Sequence, residues 1–346
     1  MSDVMGWDIG GAHVKAVQVD KSGRALQVWH RMVPLWKGLD RFAEAVGGIR
    51  EEAGGQGLRH AVTMTGELAD IFPTRAEGVR RIVHCLAQVL SGDVLSYFSA
   101  GSEFVEDPSQ RTHLIGSMNW YASARLVARF AEQGVFVDVG STTTDLVRIR
   151  ENQAVATGFS DAERLACQEL LYTGVARTPL MSLGARIEVD GTPCNLMAEH
   201  FATTADVYNL LGQLPGSLYP FDAADGAGCS EFESARRIAR MIGRDCEEGE
   251  DLGEWIRLAR TFADLQQSRI LESLSGHTSE DSSGVLIGAG TGRFLLPSLA
   301  DRCGLVYQDI DVLLKSRVAT EGALTLADCL PAYSVAELYR LEHACR

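Results

Sequence analysis

Asp8, Glu67, Asp138 and Asp145 are the carboxylates whose neighbours could do chemistry. Asp138 lies in an apolar run, Val135–Val139, and Asp145 stands just before a second run, Leu146–Ile149. Between them come Gly140, Ser141, Thr142, Thr143 and Thr144, a turn made almost wholly of small hydroxyl residues. Two strands joined this way form a hairpin whose tip gathers N–H and hydroxyl donors at one point, which suits a phosphate. The flanking acids suit the hard cation that accompanies a phosphate, such as Mg²⁺. A solvated turn has the same composition, so this motif by itself leaves both meanings open.

A repeat sharpens it. Trp7-Asp8-Ile9-Gly10-Gly11 and Val137-Asp138-Val139-Gly140-Ser141 share one order: apolar strand, acid, glycine turn. Duplication of this kind marks two copies of one structural unit. Two such domains facing a central cleft would bring both hairpins to one ligand. Asp8, Asp138 and Asp145 are then candidate metal ligands, with Gly10, Gly11, His13, Lys15, Gly140, Ser141, Thr142 and Thr143 as candidate phosphate donors.

A third cluster, Ile287-Gly288-Ala289-Gly290-Thr291-Gly292, falls between a strand and a helix. Gly288, Gly290 and Thr291 there could admit an anion near a helix N-terminus. The cluster lacks the dinucleotide fingerprint, since no βαβ unit with an acid about 20 residues on follows it. Glu67 closes Thr65-Gly66-Glu67 after a strand, a position open to a general base. Arg177 and Arg186, in loops, could meet a carboxylate or phosphate, and Asp206 or Tyr208 could line a substrate pocket.

Periodicity gives the elements that must position these groups. Strands are expected at 4–9, 14–19 and 25–33, then a helix at 39–53, a strand at 60–65, a helix at 79–90, a strand at 94–98 and a helix at 120–130. The order restarts with strands 135–139, 144–149 and 153–157 and a helix at 162–172. Residues 174–280 break the repeat, with a strand pair near 186–196 and helices near 199–212, 231–242 and 252–274. Strand 284–287, helix 294–300 and strand 305–308 follow, and helical segments cover 312–328 and 334–344. The expected domains are 1–131 and 132–330, the second with a mostly helical insertion at about 174–280, followed by a C-terminal helix at 331–346.

The 346 residues suffice for about two domains. Against 32 basic side chains stand 46 acidic ones, a net charge of −14, which excludes nucleic acid and anionic membrane as main partners. No apolar run reaches the roughly 18 residues of a membrane span, and the start lacks the pattern of a signal peptide. Eight scattered cysteines without a Cys-x-x-Cys pair fit a reducing, cytoplasmic setting. The sequence does not set the oligomeric state, and a homodimer is compatible with it.

The duplicated hairpins with acids at 8 and 138, and Gly288–Gly292 as a third element, resemble the superfamily of acetate and sugar kinases, heat-shock chaperones and actin. That resemblance implies an α/β fold of two ribonuclease-H-like (actin-like ATPase) domains, a phosphate-bearing ligand and Mg²⁺. Asp138–Asp145 is similar to the hydantoinase and oxoprolinase branch. A closer resemblance runs through Trp7–Lys15, Thr63–Asp70, Asp138–Asp145, Tyr172–Pro179 and Ala202–Tyr208. These stretches look like tetrahydromethanopterin-linked one-carbon transfer pathway proteins, whose archaeal relatives are the furan–tyramine ether synthases of methanofuran biosynthesis. The resemblance implies a transferase that joins an aminomethyl-furanylmethyl diphosphate to the phenol oxygen of γ-glutamyltyramine and releases diphosphate. Glu67 would be the base for the phenol, with Asp138 or Asp145 as alternatives. An ATP-dependent small-molecule kinase using the same loops is the competing expectation, and a nucleotide-switched chaperone-like binder a third.

Overall fold

The computed structural model describes residues 3–101, 103–108, 111–278, 284–317 and 325–344. The chain begins with β1 (Val4–Ile9), β2 (His13–Val19), β3 (Ala25–Met32), α1 (Asp40–Glu52), β4 (Arg59–Met64), α2 (Arg75–Val89), β5 (Val94–Phe98), β6 (Phe104–Val105), α3 (Thr112–Ile115) and α4 (Asn119–Val127). It continues through β7 (Gly134–Val139), β8 (Thr144–Arg150), β9 (Gln153–Val155), α5 (Asp161–Ala166), β10 (Leu170–Leu171), β11 (Arg186–Val189), β12 (Thr192–Asn195), α6 (Thr204–Leu210), α7 (Glu231–Arg240) and α8 (Gly253–His277). It closes with β13 (Val285–Ala289), α9 (Leu296–Arg302), β14 (Val306–Asp309), α10 (Ile310–Leu313) and α11 (Leu330–Ala344). The stretch 318–324 of the expected helical segment 312–328 lies outside the described residues.

Contacts divide the chain into two units: residues 1–136, 147–163 and 308–346 form the first, and 137–146 with 164–307 the second. The first sheet has the order β3-β2-β1-β4-β5-β6. Here β1 runs antiparallel to β2 and parallel to β4, and β4 runs parallel to β5. All six residues of β1 are buried, because both faces of the sheet are covered. Met5, Trp7 and Ile9 join Val14, Ala16, Phe42, Val46, Val79 and Ile82 in a core that includes α1 and α2. Helix α11 packs against β1, β2 and β4. Gly6 makes this possible: a Cβ there would collide with the Ala332 carbonyl. The C-terminal helix, expected at 331–346 after the second domain, packs as a layer of the first unit.

The second sheet has the order β10-β8-β7-β13-β14, with β9 also paired to β8. Leaving out the short β10, the order β9-β8-β7-β13-β14 repeats β3-β2-β1-β4-β5, the ribonuclease-H-like arrangement appearing twice. The expected helix 162–172 ends early at Ala166. Gln168 takes φ +60°, and Leu170–Leu171 pair with Thr144 and Asp145, so a strand replaces the last helical turns. Between β10 and β13 the helices α6, α7 and α8 pack on one another, with the ribbon β11–β12 beside α8. Capping boxes start α6, at Thr203 and Asp206, and α7, at Ser230 and Glu233. Among the described residues, no helix is long and apolar enough to cross a membrane.

Candidate functional site

In the second unit, three sequence-distant motifs meet at the hairpin between β7 and β8. Gly140 closes the tip by donating from its amide to the Thr143 carbonyl at 2.8 Å. The Gly140 carbonyl accepts from Val175 at 3.0 Å, and the Ser141 carbonyl accepts from Ala176 at 3.0 Å and Arg177 at 2.9 Å. Gly174 lies so close that a Cβ would collide with the Thr142 amide nitrogen. The third motif arrives from the other side. Gly292 donates to the Val139 carbonyl at 2.7 Å, and Gly290 takes φ +84° against Asp138. A Cβ at Gly290 would run into Asp138 Oδ1 and the Val139 carbonyl. Gly140, Ser141, Thr142, Thr143, Gly290 and Thr291 are therefore gathered as the spacing suggests. Thr291 is buried, and among the described residues its Oγ1 has no hydrogen-bond partner. Arg177 is joined to the tip through its backbone, and its side chain is exposed.

Two expected site residues have other work. A Cβ at Gly288 would lie 2.6 Å from the Tyr307 ring and 2.7 Å from Leu296 Cδ1, so this glycine admits core packing. Asp145, expected to face a metal ion, accepts from Arg164 at 2.7 Å. Arg164 also donates to the Glu169 carbonyl at 2.9 Å, which ties β8 to the segment before β10. Asp206 and Tyr208, candidates for a pocket wall, are fully buried. Asp206 completes its capping box and accepts from Arg237 at 2.7 Å. Tyr208 donates to Gln266 at 2.6 Å, and Gln266 donates to Thr173 Oγ1 at 2.8 Å and the Gly174 carbonyl at 2.7 Å. Gln266 thus anchors the loop that braces the tip. The sequence offered only one clue to it, a polar residue on the buried side of α8.

In the first unit, register places Asp8 opposite Lys15, Lys15 opposite His30, and Asp8 beside Thr63. Directly paired residues share a sheet face, so these four form one polar row across β3, β2, β1 and β4. Asp8 is buried, and Thr63 is fully buried, its Oγ1 without a partner among the described residues. His13 and His30 place their ring centroids 4.6 Å apart. Burial, helped by Lys15 and His13, pushes the His30 imidazole down to about 3, so it is neutral at physiological pH. The β1–β2 turn is held by Gly10, which donates to the His13 carbonyl, and by Leu35 and Val33, which donate to the Gly11 and Ala12 carbonyls.

Glu67 sits in a single turn, Gly66–Leu68, with only 1% of its surface exposed. Its Oε1 accepts from Arg75 at 3.2 Å and from Ser117 Oγ at 3.0 Å, while Oε2 meets no partner among the described residues. Burial raises its pKa against the opposing pull of its own backbone amide, Arg75 and Ser117. Arg75 also donates to Ser117 Oγ at 2.6 Å and pairs with Asp161 at 3.2 Å. Sequence reading missed Arg75, Ser117 and Asp161. Each has its own local role, at the start of α2, after α3 and at the start of α5, and only tertiary structure brings them together.

Among the described residues, no three His, Cys, Asp or Glu side chains gather as a metal cluster. Mg²⁺ commonly uses one or two carboxylates and takes its other ligands from water and phosphate. Asp138, held against Gly290 in the second unit, meets that modest requirement by itself, as does Asp8, in the polar row of the first.

The sequence pattern of Hydantoinase/oxoprolinase proteins matches residues 59–332. The chain belongs to the hydantoinase/oxoprolinase family. Within that setting, it is 29% identical over 306 residues to the "(4-{4-[2-(gamma-L-glutamylamino)ethyl]phenoxymethyl}furan-2-yl)methanamine synthase" of Methanocaldococcus jannaschii, covering 88% of this chain and 90% of that protein. The protein of the same name from Methanococcus vannielii is 28% identical over 208 residues, which cover 60% of this chain and 91% of that one. Among solved structures, a nucleotide-free acetone carboxylase is similar with a TM-score of 0.56 and 11% identity, over 96% of this chain and 70% of that chain. Component A of the (R)-2-hydroxyglutaryl-CoA dehydratase of Acidaminococcus fermentans is similar with a TM-score of 0.51 and 11% identity, over 100% of both chains. These likenesses concern the fold alone: an α/β arrangement in which one sheet order appears twice along the chain.

Proposed function

We propose that this chain is the methanofuran-type ether synthase: it joins the methylene carbon of an aminomethyl-furanylmethyl diphosphate to the phenol oxygen of γ-glutamyltyramine. The observation that carries this is the 29% identity spread over 88% of the chain to a protein named for a product with that phenoxymethyl-furan linkage. In the reaction the phenol gives up its proton, its oxygen bonds to the methylene carbon, and the carbon–oxygen bond to diphosphate breaks. The electron pair leaves on the diphosphate. The furan ring delocalises positive charge that develops at the carbon under attack.

The residues support a division of labour. Diphosphate carries away developing negative charge, which preorganised donors stabilise better than mobile water. The hydroxyls of Ser141, Thr142, Thr143 and Thr291, the backbone at Gly290, and Arg177 are the donors for it in the second unit, with Gly140 closing the tip that carries them. In the first unit His13, Lys15 and the backbone at Gly11 are the groups suited to a phosphate, with Gly10 holding their turn. Asp138 would hold Mg²⁺ beside the donors of the second unit, where the ion would offset the diphosphate charge, and Asp8 is the corresponding carboxylate of the first unit. Asp145 is left out of the metal set because Arg164 engages it.

Glu67 is the proposed base. A phenol has an unperturbed pKa of about 10, so a desolvated carboxylate with a raised pKa is a better match than an exposed one. Oε2 is the oxygen for the proton, since Oε1 already accepts from Arg75 and Ser117. At 1% exposure, the surrounding turns must open for the phenol to reach it.

The test is product analysis of the purified protein with Mg²⁺ and both substrates. Diphosphate and the ether in equal amounts support the synthase. The Gly290–Thr291 loop against Asp138 would also suit the phosphates of ATP, so ADP formation on adding ATP and an acceptor would favour a small-molecule kinase instead.

A further inference from the structure

We infer that Arg75, Ser117 and Asp161 are positioning residues that set whether Glu67 carries charge, the Ser117 hydroxyl turning between two carboxylates. The inference deepens the proposed role of Glu67 as base and rests on it for its meaning in turnover.

The geometry allows the Ser117 hydroxyl only one destination at a time. Arg75 Nη2 donates to Ser117 Oγ at 2.6 Å, so the oxygen is already accepting. Its single proton can go to Glu67 Oε1 at 3.0 Å or to Asp161 Oδ2 at 3.3 Å. The guanidinium is divided in the same way, with Nη2 3.2 Å from Glu67 Oε1 and Nη1 3.2 Å from Asp161 Oδ2. Two carboxylates therefore compete for one cation and one hydroxyl proton. The Asp161 side chain keeps 20% of its exposure and that of Glu67 none, so Glu67 has less water to replace a lost donor. The groups facing Glu67 are Arg75 from α2 and Ser117 from the segment before α4, with Asp161 of α5 behind both.

The backbone is arranged for this contact. Ser117 takes φ +54°, a left-handed conformation uncommon outside glycine, asparagine and aspartate. Its amide donates to the Met64 carbonyl at 3.0 Å, fixing the segment to the end of β4. At Gly116 a Cβ would lie 2.8 Å from Glu67 Oε1, so the segment can press onto the carboxylate only without a side chain there.

Opposite shifts follow from removing the two partners. Ser117→Ala deletes a donor to ionised Glu67, so Glu67 should keep its proton to higher pH. Asp161→Asn frees the hydroxyl and the guanidinium for Glu67, so Glu67 should ionise at lower pH. A purely structural role would lower the rate without moving either titration.

The experiment is a carboxyl titration of the folded, full-length protein by infrared difference spectroscopy, with Glu67→Gln identifying the Glu67 band, alongside the pH profile of kcat/KM. The expected result is an upward move in Ser117→Ala, a downward move in Asp161→Asn, and a return toward the parent in Asp161→Glu. Ser117→Gly, which suits φ +54° and also lacks the hydroxyl, should match Ser117→Ala and guards against a folding defect. Equal or same-direction moves of the Glu67 band in the two variants would overturn the inference. The base assignment is judged separately: if Glu67→Gln keeps the acidic limb of kcat/KM, Glu67 is not the base, whatever the titration shows.

Discussion

Gln266 donates from Nε2 to the Gly174 carbonyl at 2.7 Å across 92 residues of chain. The same side chain accepts from Tyr208 and donates to Thr173. One buried amide therefore holds the loop whose next residues bind the hairpin tip. Gln266→Leu should cost about 1–3 kcal/mol for each buried polar group left unmet, read by chemical denaturation. Gln266→Glu keeps the acceptor for Tyr208 and loses the donors. It should leave the protein folded while raising the KM for the diphosphate substrate.

Asp138 and Asp145 flank one turn and should respond differently. Asp138→Ala should abolish most turnover in a folded protein, because Asp138 is the proposed metal ligand. Asp145→Ala strands buried Arg164 without its anion and should lower stability by roughly 3–5 kcal/mol. A thermal melt beside an activity assay separates the two. Equal activity in Asp138→Ala and the parent protein would remove the metal role.

Gly290→Ala tests the glycine loop. A methyl group there meets Asp138 and the Val139 carbonyl at a backbone angle that disfavours alanine. The expected outcome is a loss of more than about 1 kcal/mol in stability together with reduced turnover. Gly288→Ala should also destabilise, through Tyr307 and Leu296, with its kcat changing less than its melting temperature.

Stability should fall with acid through His30. Its folded pKa, about 3, lies below the unfolded value of about 6.5, so the unfolded chain binds the proton more readily. The stabilisation is complete above about pH 6.5 and is lost as pH falls toward 3, by about 1.4 kcal/mol per pH unit. Urea denaturation between pH 7.5 and 5 should show this slope, and His30→Gln should flatten it.

Much of this protein was legible in its sequence because the deciding signals are local. The repeat of strand, acid and glycine turn at Asp8–Gly11 and Asp138–Ser141 marks two copies of one sheet, and apolar periodicity placed most strands and helices. The glycines at 290 and 292 announced a tight loop after a strand. Where local propensity competed with long-range pairing, the sequence misled: 168–172 reads as helix, yet Leu170–Leu171 pair with β8.

Tertiary structure alone decided which polar residues are spent on the fold. Asp145 and Asp206 look as available in the sequence as Asp138, but each has a buried arginine from another element at 2.7 Å. Glu67 gained partners from α2 and from the segment after α3, both of which also engage Asp161 of α5, and its neighbours in sequence announce none of them. The physical reason is that a carboxylate's charge state depends on burial and on the cations and donors within a few ångströms. Those are properties of how distant segments pack, and local sequence does not encode them.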